Sequence, residues 1–370
     1  MHSRLSILHT ESSNGWGGQE IRILVEASGL RARGHDVTLV AANGARIVDE
    51  APRYGVPVEA LPIGRNRPAG WIAMTRALRD RRPDIVNSHS STDTWLAALA
   101  CRTIGRGAPA LVRTRHVSVP VRNDVATRWL YHRATTRIVT TGESLRATLV
   151  RDNGLPASRV ESVPTGVAPD AFGRLTKREA RARLRLPEDA PLIGIVATLR
   201  SWKGHRYLID ALPHIARVDA RLVIVGDGPQ REALTHQATE SGFASRVLFA
   251  GQQDDVAPWL AALDVFALPS YANEGVPQAL IQAMFARVPC VTTNAGAIGE
   301  IAHDGHTATI VAKQDAVALA NGIDRLLRDS AAATAQASRA HALVSAQCTL
   351  DAMLDRMEAV FARAVQERRA

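Results

Sequence analysis

The chain has 370 residues, 46% of them hydrophobic and 22% charged. At roughly 150 residues per domain, that length predicts two domains. The proportions are those of a globular protein and exclude a disordered, collagenous or coiled-coil chain. The formal charge of +9 is uneven: residues 1–170 hold 23 Lys and Arg against 15 Asp and Glu, and residues 171–370 hold 22 against 21. The excess points the first half toward an anionic partner: a phosphorylated glycan, an acidic lipid surface or a nucleic acid. Plain compositional bias is the alternative, since lysine occurs only at Lys177, Lys203 and Lys313.

No apolar run approaches the roughly 20 residues that cross a bilayer. Met1–Leu8 lacks the apolar core of a signal peptide. Cys101, Cys290 and Cys348 are scattered and odd in number, so neither a disulfide framework nor a zinc motif follows. The expectation is a reduced, cytosolic, enzyme-sized protein.

Short β-rich apolar runs alternate with helical stretches, the pattern of parallel sheets flanked by helices. In the first half, strands are expected at Leu5–Leu8, Asp36–Val40, Val56–Leu61, Asp84–Asn87, Ala110–Thr114, Arg137–Thr140 and Val160–Val163. Helices are expected at Gln19–Arg33, Gly70–Arg81, Thr94–Thr103, Val125–Arg133 and Glu143–Asn153. Turn chemistry at Pro164–Pro169 and a polar stretch at Arg174–Asp189, read as an exposed helix plus a loop, separate the halves. The second half offers strands at Leu192–Ala197, Arg221–Val225, Val247–Ala250, Val265–Leu268, Cys290–Thr293 and Thr309–Val311. Its helices are expected at Tyr207–Ala216, Gln230–Ser241, Val256–Ala261, Pro277–Phe285 and Val317–Arg328. Beyond Asp329 the pattern is helical, and Leu350, Leu354, Met357, Val360, Phe361 and Val365 mark an amphipathic last helix. The reading is two doubly wound α/β domains.

In open α/β sheets, ligands bind beyond the carboxyl ends of the strands. Four loops there are informative. Glu11–Glu20 carries Gly15, Gly17 and Gly18 into a helix, where backbone amides suit an anion. Its spacing is not Gly-x-Gly-x-x-Gly, so a dinucleotide cofactor is poorly supported. Thr198–Gly204 places Arg200 and Lys203 where a strand turns toward a helix, and a planar fork beside a point charge suits a diphosphate. Val225–Glu232, with Gly226, Gly228 and Pro229, makes a tight strand-to-helix turn and a pocket wall. Pro269–Met284 sets Glu274 and Gly275 before a helix opened by Pro277, with Gln278 and Gln282 on one face. An acidic residue there can accept hydrogen bonds from sugar hydroxyls, or simply complement the helix dipole.

Taken together and in order, these segments resemble the family-4 (group 1) retaining glycosyltransferases of the GT-B fold, over nearly the whole chain. The matching pieces are Gly17-Gly18-Gln19-Glu20, Arg115-His116, Val163–Val167, Arg200 with Lys203-Gly204, Val225–Pro229, Glu274-Gly275, and Thr292–Glu300 followed by Asp304-Gly305. The resemblance implies an α/β architecture of two Rossmann-like doubly wound domains facing across a cleft. Residues 1–170 would bind the acceptor, 171–348 would bind a nucleotide-sugar donor, and 349–370 would form a helix packing back on the N-terminal domain.

It implies, further, that Arg200 and Lys203 hold the diphosphate and Glu274 the donor-sugar hydroxyls. The amides near Gly275 and Val276 would approach sugar and phosphate, and Gly17 and Gly18 would lie beneath the diphosphate. His116 would sit by the transferred sugar, and Gly251 and Gln252 would border the base. Gln282 departs from the family, which has a second Glu, separated from the first by seven residues, to grip the ribose diol; an amide bonds hydroxyls without charge assistance. Glu274, His116, Arg200 and Lys203 are the expected catalytic residues. No metal is expected, since no Asp-x-Asp element ends a suitable strand, and no cofactor, the nucleotide-sugar being a substrate.

Arg113, Arg115, Arg122 and Arg128, with Trp129, Leu130 and Tyr131 among them, are expected to form an anionic-acceptor surface. Arg113–Arg133 is similar to the corresponding segment of enzymes that build lipopolysaccharide or capsular glycans. That similarity implies a glycan or glycolipid acceptor and a cytoplasmic protein peripheral on the inner face of the membrane. A sugar-nucleotide epimerase and a glycosidase are the competing enzyme readings. A basic nucleic-acid-binding module built on Arg113, Arg115, Arg122, Arg128 and Arg133 is the non-enzyme one, disfavoured because aromatics are 4% of the chain and stacking platforms are scarce.

Overall fold

The computed structural model describes residues 4–369. Met1–Ser3 of the expected opening stretch, and Ala370, lie outside the described residues. The chain forms two compact units: the first runs to Gly166 and resumes at Leu350, and the second is Val167–Thr349.

The first unit holds seven parallel strands: β1 (Ser6–Glu11), β2 (Asp36–Ala42), β3 (Val58–Leu61), β4 (Ile85–Ser88), β5 (Ala110–Arg115), β6 (Arg137–Thr140) and β7 (Val160–Ser162). Their order is β3-β2-β1-β4-β5-β6-β7. Strands covered on both faces read as continuous apolar runs, and so the sequence exposes them. The order reverses between β1 and β4, so a crevice opens there at the carboxyl ends. The second unit repeats the plan with β8 (Leu192–Val196), β9 (Arg221–Val225), β10 (Val247–Gly251), β11 (Val265–Leu268), β12 (Cys290–Thr292) and β13 (Thr309–Ile310), ordered β10-β9-β8-β11-β12-β13. Its switch lies between β8 and β11. These two doubly wound sheets are the expected fold.

The last helix, Leu350–Arg369, belongs to the first unit. Met353, Leu354, Met357, Val360, Phe361, Ala364 and Val365 follow the 3–4 spacing of one face and are buried in that unit's core. Burying each large side chain is worth about 1.5–3 kcal/mol. Gly29 on the helix Gly18–Ala32 admits the close approach: a Cβ there would lie 2.6 Å from Leu354 Cδ1. Arg33 clamps the exposed edge, donating to Asp351 Oδ1, Asp355 Oδ1 and Glu358 Oε2 at 2.9, 2.6 and 2.8 Å.

Several expected elements need correction. The helix expected over Val125–Arg133 is α-helical over Val125–Trp129 and widens to a π-turn at Leu130–Ala134. The helix expected at Tyr207–Ala216 begins at His205 and stops at Ala211, because Pro213 has no N–H to donate back to the preceding turn. Arg46–Glu50 and Ala51–Tyr54 form two short helices where none was expected; runs of four or five residues carry too little periodicity to see. The stretch Arg174–Asp189 contains a helix, Lys177–Leu184, that is not wholly exposed. Its Arg181 is buried and donates to Ala262 O and Asp264 Oδ2 at 2.9 and 2.6 Å.

Candidate active site

In the second unit, four loops at the carboxyl ends of β8, β9, β11 and β12 are locked together by glycines. Gly204 (φ +80°) lies against Pro269, Gly226 (φ +134°) against Ala197, and Gly296 (φ +55°) against Glu274; in each case a Cβ would collide with the neighbour's carbonyl oxygen. These positive φ values are also ones L residues rarely adopt. Glu274 O accepts from Ala297 N at 3.2 Å, and Trp202 O accepts from Tyr271 N at 2.9 Å.

The loops beside the switch, Ala197–Lys203 and Pro269–Pro277, supply the charged groups. Lys203 Nζ donates to both Glu274 oxygens, at 2.8 and 3.0 Å. The Glu274 side chain is 5% exposed and that of Lys203 21%. Arg200 is exposed, with its guanidinium 5.8 Å from the Trp202 ring centroid. The expected phosphate lysine and sugar carboxylate therefore share one ion pair, with Arg200 three residues from the lysine and free to reach an anion. Gly275 and Val276 are buried and lead into the helix Gln278–Phe285, on which Gln282 is half-buried. Gly251 (φ +72°) closes β10, and its carbonyl accepts from Gly226 N at 2.8 Å, so Gly251 and Gln252 adjoin the β9 loop.

In the first unit, β1, β4 and β5 end in polar residues. His9, Thr10 and Glu11 on β1 are buried, as are Asn87, Ser88 and His89 at the end of β4. Asp93 accepts from Thr10 Oγ1 (2.7 Å), Ser12 Oγ (3.1 Å), and the amides of His89 and Ser90 (both 3.0 Å), closing a capping box with Ser90. Glu11 accepts from Ser13 N at 2.7 Å and from Ser90 Oγ and Gln19 Nε2 at 2.5 Å. Burial first, and then the Asp93 charge, push the Glu11 carboxyl up to about 8. Gly17, extended at φ 179°, and Gly18 open the helix that this network braces.

A cavity of about 520 Å³ opens beside that network, lined by Gln19, His89, Trp95, Arg113, Arg115, His116, Arg122 and Tyr131 among others, with no carboxylate among its lining residues. Arg113 and Arg115 are buried and stand 5.2 and 6.0 Å from the Tyr131 ring centroid. Arg115 donates to Tyr131 Oη at 2.6 Å and Val119 O at 2.7 Å. Three expected anion-binding arginines, Arg113, Arg115 and Arg122, thus meet at one cavity, while exposed Arg128 is not among its lining residues. The expectation of a surface is corrected for Arg113 and Arg115, which are walls of a cavity. Leu130 and Tyr131 are core residues, and Trp129 is half-buried against Trp95, rings 6.0 Å apart; none of the three is a free lipid-facing side chain.

His116 is not an isolated histidine. His9 Nδ1 lies 2.9 Å from His89 Nε2, and His89 Nδ1 lies 3.0 Å from His116 Nε2. Burial lowers all three, His9 to about 3, with the Arg22, Arg113 and Arg115 charges adding to the effect at His116. They are neutral at pH 7. The sequence missed His9, His89 and the Glu11–Asp93 network. A signal existed: Ser90-x-x-Asp93 is the spacing of a capping box, directly after a strand.

These pKa shifts predict a pH dependence of stability. His9 and buried His205 both fall from 6.5 to about 3. Between those values the unfolded chain binds protons the folded chain refuses, so folding weakens as pH falls below about 6.5. Glu11 acts in the opposite sense: its folded value of about 8 is raised, so its contribution is full below about 4.5 and is lost as pH rises through 8. Thermal melts should show the melting temperature dropping from pH 7 to pH 4.5. His9→Gln should flatten that slope, whereas an unchanged slope contradicts the assignment.

Two Rossmann-like units, each with polar loops at its switch point, define a GT-B class of fold. The Glycosyltransferase Family 4 model matches residues 16–171, and the Glycosyl transferases group 1 model matches residues 190–329. The GDP-mannose-dependent alpha-(1-6)-phosphatidylinositol monomannoside mannosyltransferase of Mycobacterium tuberculosis is 30% identical over 345 residues, 87% of this chain and 88% of that one. The lipopolysaccharide core biosynthesis glycosyltransferase LpsE of Rhizobium meliloti is 33% identical over 175 residues, 47% of this chain and 51% of LpsE, so the match spans about half of that relative. Anabaena Alr3699/HepE, solved in complex with UDP-glucose, shares the fold at a TM-score of 0.86 and 21% identity, over 97% of this chain and all of that one. The chain belongs to the family-4, or group 1, glycosyltransferases. Among the described residues, no helix is long and apolar enough to cross a membrane.

Proposed function

We propose that this glycosyltransferase moves a sugar, with retention at the anomeric carbon and without a metal ion, from a nucleoside-diphosphate sugar to a glycan or glycolipid acceptor of bacterial cell-surface polysaccharide or lipopolysaccharide. The observation that carries the donor assignment is the Lys203–Glu274 pair beside Arg200, at the switch point of the second unit. HepE, with the same fold, is solved with UDP-glucose. A donor diphosphate offers Lys203 and Arg200 a doubly charged partner, and Glu274 then turns its oxygens to sugar hydroxyls. As the glycosidic bond breaks, negative charge grows on the diphosphate and positive charge on the sugar ring. The two cations stabilise the first in place, by preorganisation. A diphosphate oxygen takes the acceptor hydroxyl's proton on the face where that hydroxyl attacks, which returns the original configuration. Neutral His116 serves as a hydrogen-bonding group in this scheme.

The cavity with Arg113, Arg115 and Arg122 is the acceptor site in this reading, and its charge suits an anionic acceptor. Such an acceptor places the protein at the cytoplasmic surface of the membrane. The relatives that act on lipopolysaccharide core and on phosphatidylinositol monomannoside support a lipid-linked substrate. Proton NMR of the purified product tests the mechanism: the anomeric coupling should match that of the donor, with the rate unchanged by EDTA. An inverted product, or activity lost to EDTA and restored by a divalent ion, contradicts it.

Gln282 predicts a correctable weakness in nucleotide binding. Gln282→Glu should tighten it about fivefold, as a charge-assisted hydrogen bond gains roughly 1 kcal/mol over a neutral one. Titration of the free nucleoside diphosphate would read this; an unchanged or weaker Kd removes Gln282 from the ribose.

A further inference from the structure

The three histidines form a line that ends inside the protein. His9 and His89 are nearly coplanar, 12° apart with ring centroids at 5.2 Å, so they meet edge to edge; His89 and His116 meet at the same centroid distance and 34°. His9 is 0% exposed and His89 3%, while His116 is half-buried on the cavity wall. A neutral imidazole has one N–H and one bare nitrogen. Two successive N···N hydrogen bonds therefore force all three N–H groups to point the same way. Either every ring carries its proton on Nδ1, or every ring carries it on Nε2.

The sealed end chooses between them. His9 Nε2 is buried and has no hydrogen-bond partner. A proton there would be an orphaned N–H, the rarer and costlier defect; a bare nitrogen there is the better tolerated one. Arg22, Arg113 and Arg115 face the line and favour the opposite polarity. Their charge is shared, however: Arg22 is 3.6 Å from Glu26, and Arg113 acts on Asp93. The orphan at His9 has no such relief.

We propose that His9 and His89 are positioning residues that fix His116 as its Nδ1–H tautomer, so that it presents a hydrogen-bond donor to the cavity. His116 then recognises an oxygen acceptor, a sugar hydroxyl or phosphoryl oxygen, and takes no proton from it. Its setting is decided two imidazoles away, by a residue that touches no substrate. This rests on the transferase reading for its role, although the tautomer itself is independent of that reading.

The test is long-range proton–nitrogen NMR on the histidine-labelled full chain at pH 7. His116 should show a protonated Nδ1 and a bare Nε2. In His9→Ala that signature should give way to a mixture of tautomers, with kcat down about tenfold and donor KM little changed, the worth of one neutral hydrogen bond. His9→Asn, whose amide can still donate toward His89, should restore both the signature and most of kcat. A wild-type spectrum with His116 protonated on Nε2, or an unaltered signature in His9→Ala, overturns the proposal. Absence of sugar transfer with every donor and acceptor would sink the transferase reading while leaving the NMR result standing.

Discussion

Lys203→Ala should lower kcat/KM by about 10²–10³, the usual consequence of losing one preorganised charge at a leaving group. It should also destabilise the fold. Glu274 is 5% exposed and bonds Lys203 through both oxygens. Removing the lysine leaves a buried carboxylate uncompensated, a loss of about 3–5 kcal/mol. Arg200→Ala separates the two effects. Arg200 is exposed and rests on Trp202; its loss should change stability by no more than about 0.5 kcal/mol and still depress transfer severely. Steady-state kinetics and thermal melts on both variants check this. Normal transfer by either variant removes that residue from the leaving-group site.

Gly296→Ala should be as damaging, with no change of charge at all. At φ +55° alanine is strained, and its Cβ would strike Glu274 O, an acceptor for Ala297 N. Backbone must move, and the atom that moves belongs to the proposed sugar-binding residue. Strain at such a position costs about 1–3 kcal/mol. A displacement of about 1 Å in a reacting group can cost 10²-fold in rate. A thermal melt together with donor titration would show both losses. A variant with wild-type stability and donor affinity contradicts the packing described for this loop.

The inner strands were legible because parallel strands buried on both faces appear as apolar runs, and β2, β8, β9 and β11 lie on such runs. The second-unit site was legible for a related reason. Gly204 and Gly226 sit in strand-end loops and Gln282 on the helix that follows one, where the chemistry is local, so short motifs display it. The first-unit site was not. His9 and His89 are 80 residues apart and meet because β1 and β4 are neighbours at the switch. A histidine inside an apolar strand looks like an ordinary core residue until the pairing is known. Arg113 and Arg115 looked like surface charge for the same reason. Alternation along β5 says nothing of a cavity formed by its neighbours, and a basic run reads the same whether it faces solvent or a ligand.

The proposed donor site can be tested most directly by calorimetric titration of the full chain with UDP-glucose, GDP-mannose and other nucleoside-diphosphate sugars, alongside Arg200→Ala. One donor should bind saturably, and the stable variant should bind it at least tenfold more weakly. If no nucleoside-diphosphate sugar binds, or if one binds equally well without Arg200, the second unit does not hold a donor in the way described.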